Sequence, residues 1–274
     1  MKKNTFTLTL AVVGLVLGGS AHAARRDTSG HDMRLMPVGS GVSSPSTWSS
    51  LEQNPAGLTF NNRSRLQLDA RTSDTDFDDI TDGLSFLTGN GMVGMGVGYL
   101  GTYDRNASNY GFGVSAGLAA QIPVIRTSLG VRAYKSIYAA EDFVDAGDGW
   151  NTGVGLLITP MPWLRIGYEL PNLIGGLHEM GFGASFDVSN FATVTVDGAY
   201  NLDNDAFELH PALSVYVYVL QLTVGYAFDV TDNTTAMIRD GLDFGVAFHV
   251  KNRLAFQVMY NNMDKLYAGM NFAF

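Results

Sequence analysis

The sequence contains no cysteine, so disulfide bonds do not hold the fold and the N-terminus cannot carry a thiol-linked lipid. Basic residues are also few: 17 Lys and Arg stand against 26 Asp and Glu, and the formal net charge is −9. A nucleic-acid partner, which requires a clustered basic face, is therefore not expected. Beyond the first 23 residues there is no run of 18 or more apolar residues of the kind that forms a spanning helix.

The first 23 residues have the parts of an export signal. Lys2 and Lys3 precede a short apolar stretch, and Ala21 and Ala23 occupy the small-residue positions before a cleavage site. Residues 1–23 are therefore predicted to be a removable signal peptide, since the apolar stretch is short for an uncleaved anchor. An exported chain with 46% hydrophobic residues and 32 glycines is then either a soluble all-β protein or a transmembrane β-barrel.

From residue 64 onward, large apolar residues alternate with small or polar ones, as in "NYGFGVSAGLAA" (109–120), "HEMGFGASFDV" (178–188) and "DGLDFGVAFHV" (240–250). This is the pattern of β-strands with two different faces. Alternation alone does not separate a soluble sandwich from a membrane barrel. The segments are about 9 to 12 residues long, which favours strands that cross a bilayer at a tilt over ordinary globular strands of about 5 to 6.

The fold class predicted is all-β, a transmembrane antiparallel β-barrel of about fourteen strands, with twelve as the alternative count. The predicted strands are 64–71, 82–88, 92–103, 109–120, 125–138, 149–158, 163–170, 178–188, 191–200, 207–217, 220–228, 239–250, 253–261 and 266–274. Connections after even strands are short and lack Asp and Glu, whereas those after odd strands are longer. This asymmetry is typical of the periplasmic and extracellular ends of bacterial barrels.

Both ends of the predicted strands carry aromatic residues, as expected where a barrel meets lipid headgroups. The chain finishes on "LYAGMNFAF", and its terminal Phe274 resembles the C-terminal signal that the barrel assembly machinery recognises. We therefore predict location in the outer membrane of a Gram-negative bacterium. The predicted partners are outer-membrane lipid and lipopolysaccharide, with the assembly machinery during biogenesis.

Residues 24–62 lack sustained alternation and are rich in Ser, Gly and Asn, so we divide the chain into a signal peptide (1–23), an N-terminal hatch (24–62) and a barrel (63–274). A barrel of about fourteen strands is too wide for side chains alone to fill, which favours a plug inside the lumen. "SSLE", residues 49–52, is a candidate capping box. The hatch residues singled out are Asn54, which Pro55 should hold extended, and Ala56 and Gly57, with Gly57 supplying permissive geometry.

The segment "SSLEQNPAGL", residues 49–58, resembles the turn that precedes the first strand in the outer-membrane long-chain fatty acid transporter family, the FadL-like proteins, and in their relatives in secretion systems. The resemblance implies fourteen strands, an N-terminal hatch, and passage of hydrophobic molecules sideways into the bilayer through a gap in the wall. It also implies a hydrophobic small-molecule substrate.

Two sets of inward-facing residues are candidates for function. Gly94, Gly96 and Gly98 weaken the third strand and predict either a wall gap or, as the more favoured alternative, room for the plug. Polar residues on inward positions predict plug anchors or ion pairs of the lumen, because charge facing lipid is costly. They include Asp69, Arg132, Arg165, Glu169, Asp187, Asp197, Glu208, His210, Asp243 and His249.

Other site chemistries are disfavoured. "GVGYLG", residues 96–101, matches a dinucleotide fingerprint but has no helix after it. His210 and Ser214 lie too far apart along one strand for catalysis, so no catalytic residue, enzymatic activity or cofactor is predicted. The acidic loop "DTDFDD", residues 74–79, lacks the glycine and distal glutamate of a calcium loop, and no dedicated metal site is predicted.

Three functions remain open from the sequence. The first is uptake of small hydrophobic, fatty-acid-like molecules, indicated by the hatch and by the resemblance. The second is a diffusion porin for small polar solutes, indicated by the inward charges. The third is a structural or partner-binding barrel without transport activity.

Overall fold

We analysed a computed structural model, which describes residues 41–45, 50–51, 53–72, 79–104, 109–138, 150–171, 173, 177, 179–188, 191–203, 205–231, 241–250, 253–260 and 266–274. The predicted signal peptide and residues 24–40 of the predicted hatch lie outside these ranges. Fourteen strands form one closed antiparallel barrel in which each strand pairs with its neighbours in sequence and β1 pairs with β14. The predicted fold class is therefore confirmed.

The strands run β1 Arg65–Thr72, β2 Asp79–Gly89, β3 Val93–Asp104, β4 Asn109–Ile122, β5 Thr127–Tyr138, β6 Trp150–Met161, β7 Leu164–Leu170, β8 Glu179–Val188, β9 Ala192–Asn201, β10 Ala206–Val217, β11 Leu220–Asp229, β12 Gly241–Val250, β13 Leu254–Tyr260 and β14 Leu266–Ala273. The described chain also contains two short 3₁₀ helices, Pro55–Phe60 and Pro123–Ile125. Closure leaves no free sheet edge, which satisfies the backbone groups of β1 and β14.

The two ends of the barrel differ. Connections after even strands span two to four residues, and we call this end the turn end; connections after odd strands span four to eleven residues and form the loop end. The pairing has two irregularities. The β6–β7 register shifts between Ile158 and Met161, and the β10–β11 pairing skips His210 and Pro211, of which Pro211 has no N–H to donate.

Side chains are distributed in the reverse of a soluble protein. Outward positions carry large exposed apolar residues, such as Val97, Leu129 and Phe244, while inward positions carry buried polar ones such as Gln221 and Asn271. Such an apolar exterior is the surface of a barrel that faces lipid. In the described part of the chain, no helix is long and apolar enough to span a membrane.

Candidate functional site: the hatch helix and the cavity beside it

The 3₁₀ helix Pro55–Phe60, which we call the hatch helix, begins where the sequence predicts a turn. Asn54 is extended (φ −82°, ψ 106°), as expected for a residue before proline. Its Oδ1 accepts a hydrogen bond from the Ala56 N–H at 3.1 Å and so caps the helix. Ser49 and Glu52 of the predicted capping box lie outside the described residues, and the cap that the structure shows is Asn54.

The same asparagine fixes this helix to its surroundings. Its Nδ2 donates to the carbonyl oxygen of Val42 at 2.8 Å, and lies 3.3 Å and 3.4 Å from the carbonyl oxygens of Leu156 on β6 and Tyr168 on β7. Asn54 is fully buried, so these contacts replace water that its amide would otherwise bind. One side chain therefore joins the helix, residue 42 and two wall strands.

Gly57 corrects one expectation. The positive-φ glycines of the described chain are Gly41 and Gly91, so Gly57 does not supply unusual backbone geometry. A Cβ on Gly57 would instead lie 2.7 Å from Cγ of Pro45. Glycine is needed here because another part of the N-terminal segment packs against it, a contact that the local sequence does not reveal.

The helix lies against the inner face of the barrel, and wall glycines make this approach possible. A Cβ on Gly94 of β3 would overlap the Leu58 carbonyl, and one on Gly130 of β5 would overlap the backbone at Pro55 and Ala56. Leu58 is fully buried together with Leu87 and Ala119. Small inward residues thus let the helix backbone touch the wall backbone directly.

The pairing of β3 does not show the gap in the wall that was one of the two predictions for its glycines. β3 pairs residue by residue with β2 and β4 from Val93 to Asp104. Gly96 faces the side chains of Leu87 and Leu58, and Gly98 faces Ser115 and Leu51. In the described residues, the glycines of this strand make room for the N-terminal segment within a continuous wall.

A second contact holds residues 42 and 43 to β8 and β9 of the barrel wall. Asp197 of β9 is fully buried, and its carboxylate accepts hydrogen bonds from the backbone N–H groups of Val42 (3.2 Å) and Ser43 (3.3 Å) and from the Ser43 hydroxyl. Ser185 of β8 donates to the Ser43 carbonyl oxygen at 3.3 Å. Hydrogen bonds to a carboxylate are stronger than those between neutral groups, so Asp197 is a strong attachment point.

A cavity of about 250 Å³ lies beside Leu51, between the hatch helix and the loop end. Its lining residues come from β1 to β6 and the segment after β7, and include Leu51, Asp69, Ser85, Gly98, Ser115, Arg132, Tyr134, Asn151, Gly153 and Pro171. The side chains of Ser115 and Leu51 pack against Gly98, and the side chain of Arg132 packs against Gly153. Most of the cavity surface is apolar, although many of its lining residues also carry polar or charged groups, a mixture found in small-molecule sites.

The predicted polar residues of the lumen do not form one cluster. Arg132 lines the cavity and lies 3.4 Å from the Leu51 carbonyl oxygen. It also interacts electrostatically with Glu169 and Glu179.

Away from the cavity, Arg165 is fully buried and binds Asp187 through two hydrogen bonds of 2.8 Å and 3.0 Å. Thr193 donates a third hydrogen bond to Asp187 at 2.8 Å. This group lies toward the turn end and ties β7, β8 and β9 together.

On the far side of the barrel, Glu208 and His210 of β10 lie in contact, two residues apart on one face. Asp243 and His249 lie on the inward face of β12, where Asp243 is opposite Gly225 and His249 opposite Ala255. These four residues do not line the cavity.

Within the described ranges, no group of three or more His, Asp and Glu side chains is placed to hold a metal ion. Residues 74–78 of the acidic loop lie outside those ranges.

Sequence reasoning did not single out Leu51 and Ser43. Leu51 forms one wall of the cavity, and Ser43 is held by Asp197. Neither residue lies in an alternating segment, so the periodicity of the sequence does not predict which way its side chain points. The buried partners Asp197 and Ser185 do carry a signal, because both are inward polar residues on alternating strands.

Neither a protein-family model nor a curated protein matches the sequence. Solved structures do match. "TodX monoaromatic hydrocarbon channel deltaS2 mutant" has a TM-score of 0.57 and 11% identity over 90% of this chain and 99% of that chain. The P. putida toluene transporter TodX has a TM-score of 0.54 and 11% identity over 85% and 94% of the two chains. At this identity the likeness shows a shared fold.

Proposed function

We propose that the protein is an outer-membrane channel for small, uncharged hydrophobic solutes. The observation that carries this proposal is the partly open cavity beside Leu51, which lies between the N-terminal segment and the barrel wall. The exported character predicted from residues 1–23 and the apolar exterior support the outer membrane as the location.

The size of the cavity favours small solutes. An apolar cavity of about 150 Å³ binds benzene. The 250 Å³ beside Leu51 therefore has room for a single-ring aromatic compound or a short acyl chain. An extended long-chain fatty acid would reach beyond this space, so we propose a solute smaller than the fatty-acid-like molecule expected from the resemblance. The proteins that share this fold include a monoaromatic hydrocarbon channel and a toluene transporter, whose solutes are of this size.

The charges around the cavity favour an uncharged solute. Among the described lining residues the charged ones are Asp69 and Arg132. Arg132 already interacts with the carboxylates of Glu169 and Glu179. A carboxylate ligand would therefore compete with Glu169 and Glu179 for Arg132 and would lie near Asp69, which makes its burial there unfavourable.

The test is uptake of two labelled compounds of nearly equal size. Cells that lack the gene and cells that carry it on a plasmid are given toluene or benzoate. We expect the gene to increase the initial rate of toluene uptake and to leave benzoate uptake unchanged. Equal toluene uptake in both cell types would remove the proposal. A gene-dependent increase for benzoate alone would assign the cavity to anions instead.

A polar diffusion pore is the second candidate, because the far side of the lumen is polar. Glu208, Gln221 and Gln257 lie on the inward faces of β10, β11 and β13. Planar-bilayer recording distinguishes the candidates. A pore gives steady conductance that increases when residues 24–62 are deleted, whereas a hydrophobic-solute channel with a closed lumen gives no steady conductance as the full chain.

A further inference from the structure

The turn end of the barrel carries large apolar side chains at its tips. Val124 between β4 and β5 is 93% exposed, and Tyr218 between β10 and β11 is 92% exposed. Other exposed apolar residues of the turns are Met92, Ile125, Trp163, Phe191 and Val219. Turns that face water usually carry Gly, Asn, Asp or Ser. This end is therefore poorly suited to contact with water.

The backbone of one tip indicates that its side chain is retained for a contact. Tyr218 has a φ of 53°, in the left-handed region where two-residue hairpin turns strongly favour glycine, asparagine or aspartate. Tyrosine is unfavourable there, and its ring touches nothing that would explain it, since it is almost wholly exposed. The turn would form more easily with asparagine, so an external partner for the ring is indicated.

Exposed charge differs between the two ends. Among the described residues, the exposed charged side chains at the turn end are Arg63, Arg126 and Arg253. Those toward the loop end are Asp82, Asp203 and Asp205. The turn end thus combines exposed apolar groups with positive charge, which is the composition of surfaces that lie in a phospholipid headgroup layer.

The apolar tips also continue the outer apolar surface without a break. Ile122, Met161, Val188, Val217 and Leu220 at the strand ends are all exposed. We propose that the turn end lies within the headgroup layer of the inner leaflet, with its apolar tips immersed in lipid and Arg63, Arg126 and Arg253 bound to the phosphates of anionic phospholipids.

A lipid surface fits this arrangement better than a docked protein. The exposed apolar residues occur in five different turns, β2–β3, β4–β5, β6–β7, β8–β9 and β10–β11, and so follow most of the rim. A protein partner usually contacts one compact patch with an apolar centre and a polar rim. Lipid surrounds the barrel and contacts all of these turns at once.

The absence of cysteine makes immersion directly measurable. Single variants Val124→Cys, Tyr218→Cys and, as the loop-end control, Asp203→Cys are labelled with a nitroxide in the full barrel and reconstituted in phosphatidylcholine vesicles containing phosphatidylglycerol. We expect collision of the labels at 124 and 218 with a water-soluble nickel chelate to be about fivefold lower than that of the label at 203, and collision with oxygen to be higher. Equal exposure of all three labels to the chelate would overturn the proposal.

The role of the arginines has its own readout. We expect the wild-type barrel to unfold at a higher temperature in vesicles with phosphatidylglycerol than in pure phosphatidylcholine. The Arg63→Gln/Arg126→Gln/Arg253→Gln variant should lose that difference, whereas Asp82→Asn/Asp203→Asn/Asp205→Asn should keep it. A difference that survives in the arginine variant would refute lipid phosphate binding. If the labels at 124 and 218 face water in vesicles and become protected only when a periplasmic extract is added, the partner of the turn end is a protein and the lipid proposal is wrong.

Discussion

The Nδ2 of Asn54 donates to the carbonyl oxygen of Val42 at 2.8 Å, across twelve residues of sequence, and so links the two parts of the N-terminal segment inside the barrel. Val42 is in turn held by Asp197 of β9. A chain of hydrogen bonds therefore runs from the hatch helix to β9. We expect the strength of this attachment to decide how far residues 41–62 obstruct the lumen.

Two substitutions of Asn54 separate its role as the cap of the hatch helix from its hydrogen bond to Val42. Asn54→Asp keeps an oxygen acceptor for the Ala56 N–H but loses the donor to Val42, and Asn54→Ala loses both. We expect Asn54→Ala to destabilise the segment by about 2 kcal/mol and Asn54→Asp by less. The measurement is protease cleavage of the folded barrel within residues 41–62. Cleavage rates equal to wild type in both variants would show that Asn54 does not hold the segment.

Asp197 should control closure of the lumen. Asp197→Asn replaces one of the two acceptor oxygens by an amide donor, which faces the N–H group of either Val42 or Ser43 and removes that hydrogen bond. The loss for a charged acceptor is about 1.5 to 3 kcal/mol. We expect more frequent conducting events in planar bilayers. Asp203→Asn, exposed at the loop end, is the control and should behave as wild type. Silent traces for both would contradict the role of Asp197.

The effect of replacing a wall glycine by alanine should depend on what that glycine faces. Gly94→Ala and Gly130→Ala place a methyl group into the backbone of the hatch helix, whereas a Cβ on Gly225 meets Ala212 at 3.1 Å and no residue of that helix. Overpacking of this kind costs about 1 to 3 kcal/mol. We expect the first two variants, and not Gly225→Ala, to expose residues 53–62 to protease. The same exposure in all three would mean that the glycines act through the strands themselves.

The buried ion pair of Arg165 and Asp187 should stabilise the barrel wall. Arg165→Met leaves Asp187 without its two guanidinium hydrogen bonds, and removal of one partner of such a pair costs about 3 to 5 kcal/mol. Urea unfolding in detergent micelles measures the loss. The double variant Arg165→Met/Asp187→Leu should recover part of it. If the double variant is as unstable as the sum of both single changes, the two residues do not act as a pair.

The alternating pattern predicted the barrel well because every strand has one face toward lipid and one face toward the polar interior, so every strand alternates in the same way. The predicted strand 82–88 is longer in the structure, Asp79–Gly89, because pairing with β1 and β3 extends strands beyond their apolar residues. The contacts of the N-terminal segment were less predictable. That Gly57 faces Pro45, or that Ser43 meets Asp197, depends on the path of a non-periodic segment through the lumen.

The central claim is that the cavity beside Leu51 holds the solute, and neighbouring residues of β4 test it most directly. Ser115 lines the cavity, and Ala116 faces outward and is exposed. Ser115→Phe fills the space, and Ala116→Phe adds the same ring on the lipid side. Toluene uptake is measured in cells with equal amounts of folded barrel. We predict about a tenfold lower initial rate for Ser115→Phe and an unchanged rate for Ala116→Phe. Wild-type uptake by the Ser115→Phe barrel would contradict the account.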